Sequence, residues 1–123
     1  MAGGFYDLKI WQNGYALLME IYKLSASFPK EEQYGLTNQL RNSANSVIAN
    51  IAEAHGRYYF ADKVRVLYTA RGEAEETRSH LMVALGRKYI TQEVFNRLDK
   101  GYEGLGKGIS SYVKSLRSNS VSN

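Results

Sequence analysis

The sequence has no cysteine and a single proline, Pro29, in 123 residues. Without cysteine there is no disulfide, no thiol chemistry and no cysteine-ligated zinc or iron–sulfur centre. No apolar run approaches the ~20 residues that a membrane-spanning helix needs. The first residues, Met1-Ala-Gly-Gly-Phe-Tyr-Asp7, lack a basic stretch followed by an apolar one, so no secretory signal is expected. Together these absences lead us to expect a soluble, cytoplasmic protein without a membrane partner. Extended Val/Ile/Thr alternation is missing too, and the one Asn-Gly pair, Asn13-Gly14, falls inside a helical pattern.

Catalytic signatures are equally scarce. No serine sits in a Gly-x-Ser-x-Gly elbow and no phosphate-binding glycine loop occurs. The glycines near residue 104 follow a helix pattern rather than a strand, so a dinucleotide reading fails. A di-iron bundle would carry Glu-x-x-His twice. Here Glu76 lies four residues before His80, and Glu53 two before His55, so neither pair fits. The expectation is a protein that is not an enzyme and has no metal and no cofactor. His55 is expected beside the negative end of the second helix, and His80 at a surface or interface.

What is present is helical periodicity. The length suits one domain. Residues 1–117 are expected to form an up-down-up-down antiparallel four-helix bundle, an all-α fold, with 118–123 a disordered tail. The first helix is expected from Asp7 to about Ser27. It has two apolar stripes, Leu8, Trp11, Tyr15, Leu18 and Tyr22 on one line, and Ile10, Leu17, Ile21 and Leu24 on another. At ~100° per residue the stripes stand about 120° apart. Either one faces the core and the other a partner chain, or both belong to one wide buried face.

Pro29 stops this helix and is expected to open the second, which runs to about His55 with Glu31 and Glu32 near its positive end. The core stripe of the second helix is Leu36, Leu40, Ala44, Val47 and Ile51, with Ile48 at its edge and Gly56 as the terminating residue. The third helix, about Phe60 to Arg87, carries a small-residue seam of Leu67, Ala70, Ala74, Thr77, Leu81 and Ala84. The fourth, about Gln92 to Arg117, is capped by Thr91 and striped by Leu98, Tyr102, Leu105, Ile109, Tyr112 and Leu116. Its glycines at 101, 104, 106 and 108 imply either close backbone packing or a weak helix.

Two groups of polar residues stand out. The second helix carries Arg41, Ser46, Asn50 and Glu53 within a run rich in Asn and Ser, residues that compete with helix hydrogen bonds. They read either as a structural polar network, with Glu53 pairing Arg57, or as a surface for a partner. The second group is basic. Sixteen Lys and Arg against twelve Asp and Glu give a net charge of +4. Lys100, Lys107 and Lys114 are seven residues apart and share one helix face, while Arg57, Arg65 and Arg71 load the third helix and its start. In one chain such a row is a solvated face. Repeated around a symmetry axis, it becomes a polyanion site, because affinity for phosphate rises with the number of charges neutralised. Ten tyrosines add amphipathic surface suited to interfaces.

The segment Phe28-Pro-Lys-Glu-Glu-Gln-Tyr-Gly-Leu-Thr-Asn-Gln-Leu-Arg41, then Ser46-Val-Ile-Ala-Asn50-Ile-Ala-Glu53 and Gly56-Arg57, resembles the four-helix bundle family encoded by intervening sequences of bacterial large-subunit ribosomal RNA genes. Phe5-Tyr-Asp-Leu-Lys-Ile-Trp11-Gln12, Ala70-Arg-Gly72 with Glu76 and Leu81, and Tyr89-Ile90 fit the same family, so the resemblance spans about residues 5–116. Two departures are Ala54-His55, where the family usually has glycine, and Glu73, where it usually has serine. The resemblance implies a homopentamer of bundles around a central channel. The chain is also similar to the accessory variability determinant of diversity-generating retroelements, a basic pentamer that binds a reverse transcriptase and RNA. The expected function is therefore a basic homo-oligomer that binds RNA or RNA/DNA, with Arg57, Arg65, Arg71, Lys100, Lys107 and Lys114 as phosphate contacts. A reverse transcriptase is a second expected partner. The alternative is a protein-interaction scaffold with no nucleic-acid role.

Overall fold

The computed structural model describes residues 3–122, with side chains as far as Asn119. Four helices follow one another: α1 (Lys9–Ser25), α2 (Leu36–Gly56), α3 (Phe60–Gly86) and α4 (Gln92–Ser122). No strand occurs among the described residues. Each helix packs on two neighbours, in the cyclic order α1, α2, α3, α4 and back to α1. Side-chain pairs fix the antiparallel sense. Arg41 meets Ser25 while Ile48 meets Gly14, Ser43 meets Thr77 while Ala54 meets Lys63, and Arg71 meets Ser110 while Arg78 meets Asp99, so residue numbers rise on one helix as they fall on the next.

The core follows the heptad-like stripes. Leu36, Leu40, Ala44, Val47, Ile48 and Ile51 of α2 are buried, as is the whole α3 seam from Leu67 to Ala84, including Thr77. Each fully buried aliphatic side chain contributes about 1.5–3 kcal/mol by leaving water. The Thr77 hydroxyl is satisfied twice, by the Glu73 carbonyl at 2.8 Å and by Ser43 Oγ at 2.8 Å. It thereby avoids the ~1–3 kcal/mol penalty of an unpaired buried hydroxyl.

On α1 the buried line is Ile10, Gly14, Leu18, Ile21 and Ser25, and it runs between the two stripes read from the sequence. Leu17 and Leu24 pack half-buried on one side of it. On the other side Tyr15, Met19 and Tyr22 stay exposed, with Trp11 stacked on Tyr15 at a centroid distance of 5.1 Å. Gly14 belongs to the core line for a steric reason: a Cβ there would stand 2.5 Å from Ile48 Cγ2. Close packing also explains two of the α4 glycines. A Cβ on Gly101 would meet Leu17 Cδ2 at 2.7 Å, and one on Gly108 would meet Ile10 Cγ2 at 3.2 Å. Gly104 has nothing within 4 Å.

The helix ends differ from the sequence pattern in four places. Residues Phe5–Asp7 form a separate 3-10 turn before α1. After Pro29 the chain makes only a 3-10 turn, Lys30–Glu32, because Gly35 adopts φ −115°, ψ −114° and interrupts the helical path. Glu32 still acts at the start of α2, its Oε1 accepting the Leu36 amide at 3.2 Å. Gly56 is the last residue of α2 rather than a left-handed stop. The left-handed residue is Lys88, φ 63°, where Lys88 and Tyr89 amides bond back to Leu85 and Ala84 carbonyls and close α3. Lastly, α4 continues through the expected tail to Ser122, since neither glycine nor proline follows Arg117; Asn123 lies outside the described residues. Thr91 caps α4 as its position implies, its hydroxyl accepting the Val94 amide at 3.1 Å.

Candidate nucleic-acid interface

Most arginines that looked available in sequence are engaged. Arg78 forks onto Asp99, Nε to Oδ1 at 2.8 Å and Nη2 to Oδ2 at 3.3 Å, and reaches Glu75 at 3.1 Å. Hydrogen bonding to Asp99 holds its guanidinium even more firmly protonated than usual. Arg57 pairs with Glu53 one turn back, Arg65 with Asp62 at 3.6 Å, and Arg97 bridges to Glu20 on α1. Arg71 binds no carboxylate. Its guanidinium lies 4.8 Å from the Tyr68 ring centroid and donates to Ser110 Oγ at 2.9 Å.

The lysine row of α4 is different. Lys100, Lys107 and Lys114 are all exposed, and among the described residues no carboxylate lies within ion-pair distance of any of them. The row follows the outward face of α4. Lys100 borders a groove against α1 with Asn13, Ala16 and Leu17, whereas Lys107 borders a groove against α3 with Arg71 and Tyr68. The α3–α4 groove, about 490 Å³, also contains Glu75 and Glu103, which largely offset its cations.

Antiparallel packing sorts the charge along the bundle. One end gathers the start of α1, the α2–α3 junction and the last turns of α4. Lys9, Arg57, Lys63, Arg65, Lys114 and Arg117 lie there with Asp7, Glu53 and Asp62, six cations against three anions. Two of those acids are taken up by Arg57 and Arg65. Lys63 caps α2, donating to the Ala54 and His55 carbonyls at 3.2 and 3.0 Å. The middle of the bundle holds six cations and six anions and is neutral. Three of the four net charges are thus at one end. Of the six expected phosphate contacts, Arg57, Arg65 and Lys114 lie at this end, Arg71 and Lys107 nearer the middle, and Lys100 beyond them.

The four residues read as one polar network fall into three separate sets. Arg41 crosses to α1, its Nε donating to Ser25 Oγ at 2.8 Å while the guanidinium lies 5.0 Å from the Tyr22 ring centroid. Asn50 donates to the Ser46 carbonyl at 2.8 Å within α2. Glu53 pairs with Arg57 on the surface. The buried polar contact between helices is instead Ser43–Thr77.

The model of the 23S rRNA-intervening sequence protein family matches residues 6–111. The chain belongs to this family. A similar solved structure is the crystal structure, at 1.70 Å, of a protein with unknown function from the S23 ribosomal protein family of Bacteroides thetaiotaomicron VPI-5482. It is 24% identical, superposes with a TM-score of 0.79, and the match covers 85% of this chain and 98% of that one. At that identity the likeness is one of fold. No curated protein matches the chain.

The intervening-sequence fold accommodates both departures. Ala54 is buried in α2, which simply continues to Gly56. Glu73 is half-buried on α3, and burial, helped by nearby Glu76, raises its carboxyl above the usual range. His55 is exposed at the end of α2, and His80 lies 3.3 Å from Glu76. No group of three or more metal-ligating side chains that could hold an ion occurs among the described residues. No helix among the described residues is long and apolar enough to cross a membrane. Lys9 and Arg117, not among the six expected phosphate contacts, also lie at the basic end. The signal was available in the topology, because an antiparallel bundle puts residue 9 of the first helix beside the end of the fourth.

Proposed function

We propose that this protein is a non-enzymatic, homo-oligomeric RNA-binding protein of the intervening-sequence family. The observation that carries this reading is the exposed lysine row of α4, without ion-pair partners among the described residues, in a molecule where carboxylates neutralise Arg57, Arg65, Arg78 and Arg97, four of its eight arginines. Unpaired surface ammonium groups displace counterions from a phosphate backbone and bind it with little regard for base sequence. One bundle offers few such charges. A ring of bundles, five copies by the family resemblance, multiplies them. Support for self-association comes from α1, where exposed Tyr15, Met19 and Tyr22, beside the half-buried Trp11 that stacks on Tyr15, leave an aromatic strip at the edge of the core. A finer form of the reading is an accessory subunit of a retroelement reverse transcriptase, acting on an RNA or RNA/DNA hybrid.

The same aromatic strip favours a second reading, a scaffold that binds protein and carries its charge incidentally. A triple variant, Lys100→Glu, Lys107→Glu and Lys114→Glu, separates the two. RNA retention in a gel-shift titration is expected to fall at least ten-fold while the solution mass stays unchanged. Unchanged RNA affinity in the triple variant supports the scaffold instead.

A further inference from the structure

The basic end of the bundle carries the most exposed aromatic pair near any helix junction. Tyr58 and Tyr59 link α2 to α3 and are 86% and 67% exposed, with ring centroids 4.9 Å apart at an interplanar angle of 90°. Neither ring supports the fold. Both lie outside the hydrophobic core, and Tyr59, at the N-cap of α3, makes no side-chain capping bond. Two large apolar rings left in water without a packing role need another reason. Their surroundings supply one: Lys9, Lys114 and Arg117, without a carboxylate at ion-pair distance among the described residues, belong to this same end, which holds most of the net charge.

Exposed aromatic faces at the same end of the bundle as free cations match one chemistry closely. A single-stranded nucleic acid offers bases to stack on the rings and phosphates to the ammonium and guanidinium groups. A duplex cannot use such rings, because its bases are already stacked. We propose that the Tyr58–Tyr59 corner is a stacking platform for unpaired RNA bases, with Lys114 and Arg117 holding the flanking phosphates. This rests on the RNA-binding reading above and names the strand type it prefers.

The test uses the full-length protein, a short labelled oligoadenylate and a blunt RNA duplex of the same length. The double variant Tyr58→Leu, Tyr59→Leu keeps apolar bulk and removes the π-faces. Single-strand affinity is expected to fall about ten-fold or more, from stacking worth ~1–3 kcal/mol per base. Duplex affinity, the salt dependence, the helical circular dichroism and the solution mass are expected to hold. The Tyr58→Trp, Tyr59→Trp variant should restore single-strand binding. Equal losses for both RNAs, no loss for either, or a drop in subunit number overturns the platform; the last outcome assigns these rings to a subunit contact. A wild-type protein that binds neither RNA overturns the functional reading itself, and the platform with it.

Discussion

Single residues at the helix ends carry consequences that their neighbours do not. Lys88 holds φ 63°, a conformation that costs a residue with a Cβ ~1–2 kcal/mol and costs glycine little. Lys88→Gly is expected to raise stability by about 0.5–1 kcal/mol, read from the urea midpoint. Glu32 ties three segments together, accepting the Leu36 amide and, through Oε2, the Tyr89 hydroxyl at 2.8 Å. Those bonds, Tyr89 first, lower its pKa below the ordinary 4.5. A carboxylate with a depressed folded pKa contributes its stability in full above the unfolded value and loses it as pH falls through the folded one. Glu32→Gln is therefore expected to lower stability at neutral pH and to leave a shallower acid decline below about pH 4.5. A parallel pair of acid-denaturation curves would contradict this. Tyr102 is a contrast: buried, its hydroxyl has no hydrogen-bond partner among the described residues, and desolvation pushes its pKa well up. Tyr102→Phe is expected to be stabilising by up to ~1 kcal/mol in thermal melts.

At the scale of elements, the glycines divide by what surrounds them. Gly14 and Gly104 look alike in sequence, each a glycine in a helical stripe. In the fold, Gly14 is pressed against Ile48, and Gly104 faces open space. Gly14→Ala is expected to destabilise by about 1–3 kcal/mol through overpacking, and Gly104→Ala to stabilise by up to ~1 kcal/mol through helix propensity. The α2 and α3 stripes were legible because Leu, Val, Ala and Ile recur there at heptad-like spacing, although Val66, buried on α3, lies off the line that this spacing marks. On α1 apolar residues cover two thirds of the circumference, so periodicity alone had no means of choosing the buried line. Gly14 and Ser25, which complete that line, carry no hydrophobic signal at all. The start of α2 was hidden for a related reason: Pro29 is compatible with a first turn, and only the backbone of Gly35 shows that the helix begins later.

In the whole molecule, the candidate site was only half legible. The lysine row follows from a spacing of seven. Its freedom from carboxylates, and the engagement of Arg57, Arg65, Arg78 and Arg97, depend on which helix lies beside which. The same holds for the basic end, which is assembled from three distant stretches of chain. The functional account depends on repetition: three free lysines per bundle are weak, and several bundles around an axis are not. The salt dependence of RNA affinity reads this directly. Even with Lys9 and Arg117 added to the three lysines, the free cations of one chain release counterions with a log–log slope of at most about 3.5 for single-stranded RNA. The account predicts a slope clearly steeper than that, from phosphates contacted by more than one subunit. An RNA affinity that barely changes between low and moderate salt would contradict it.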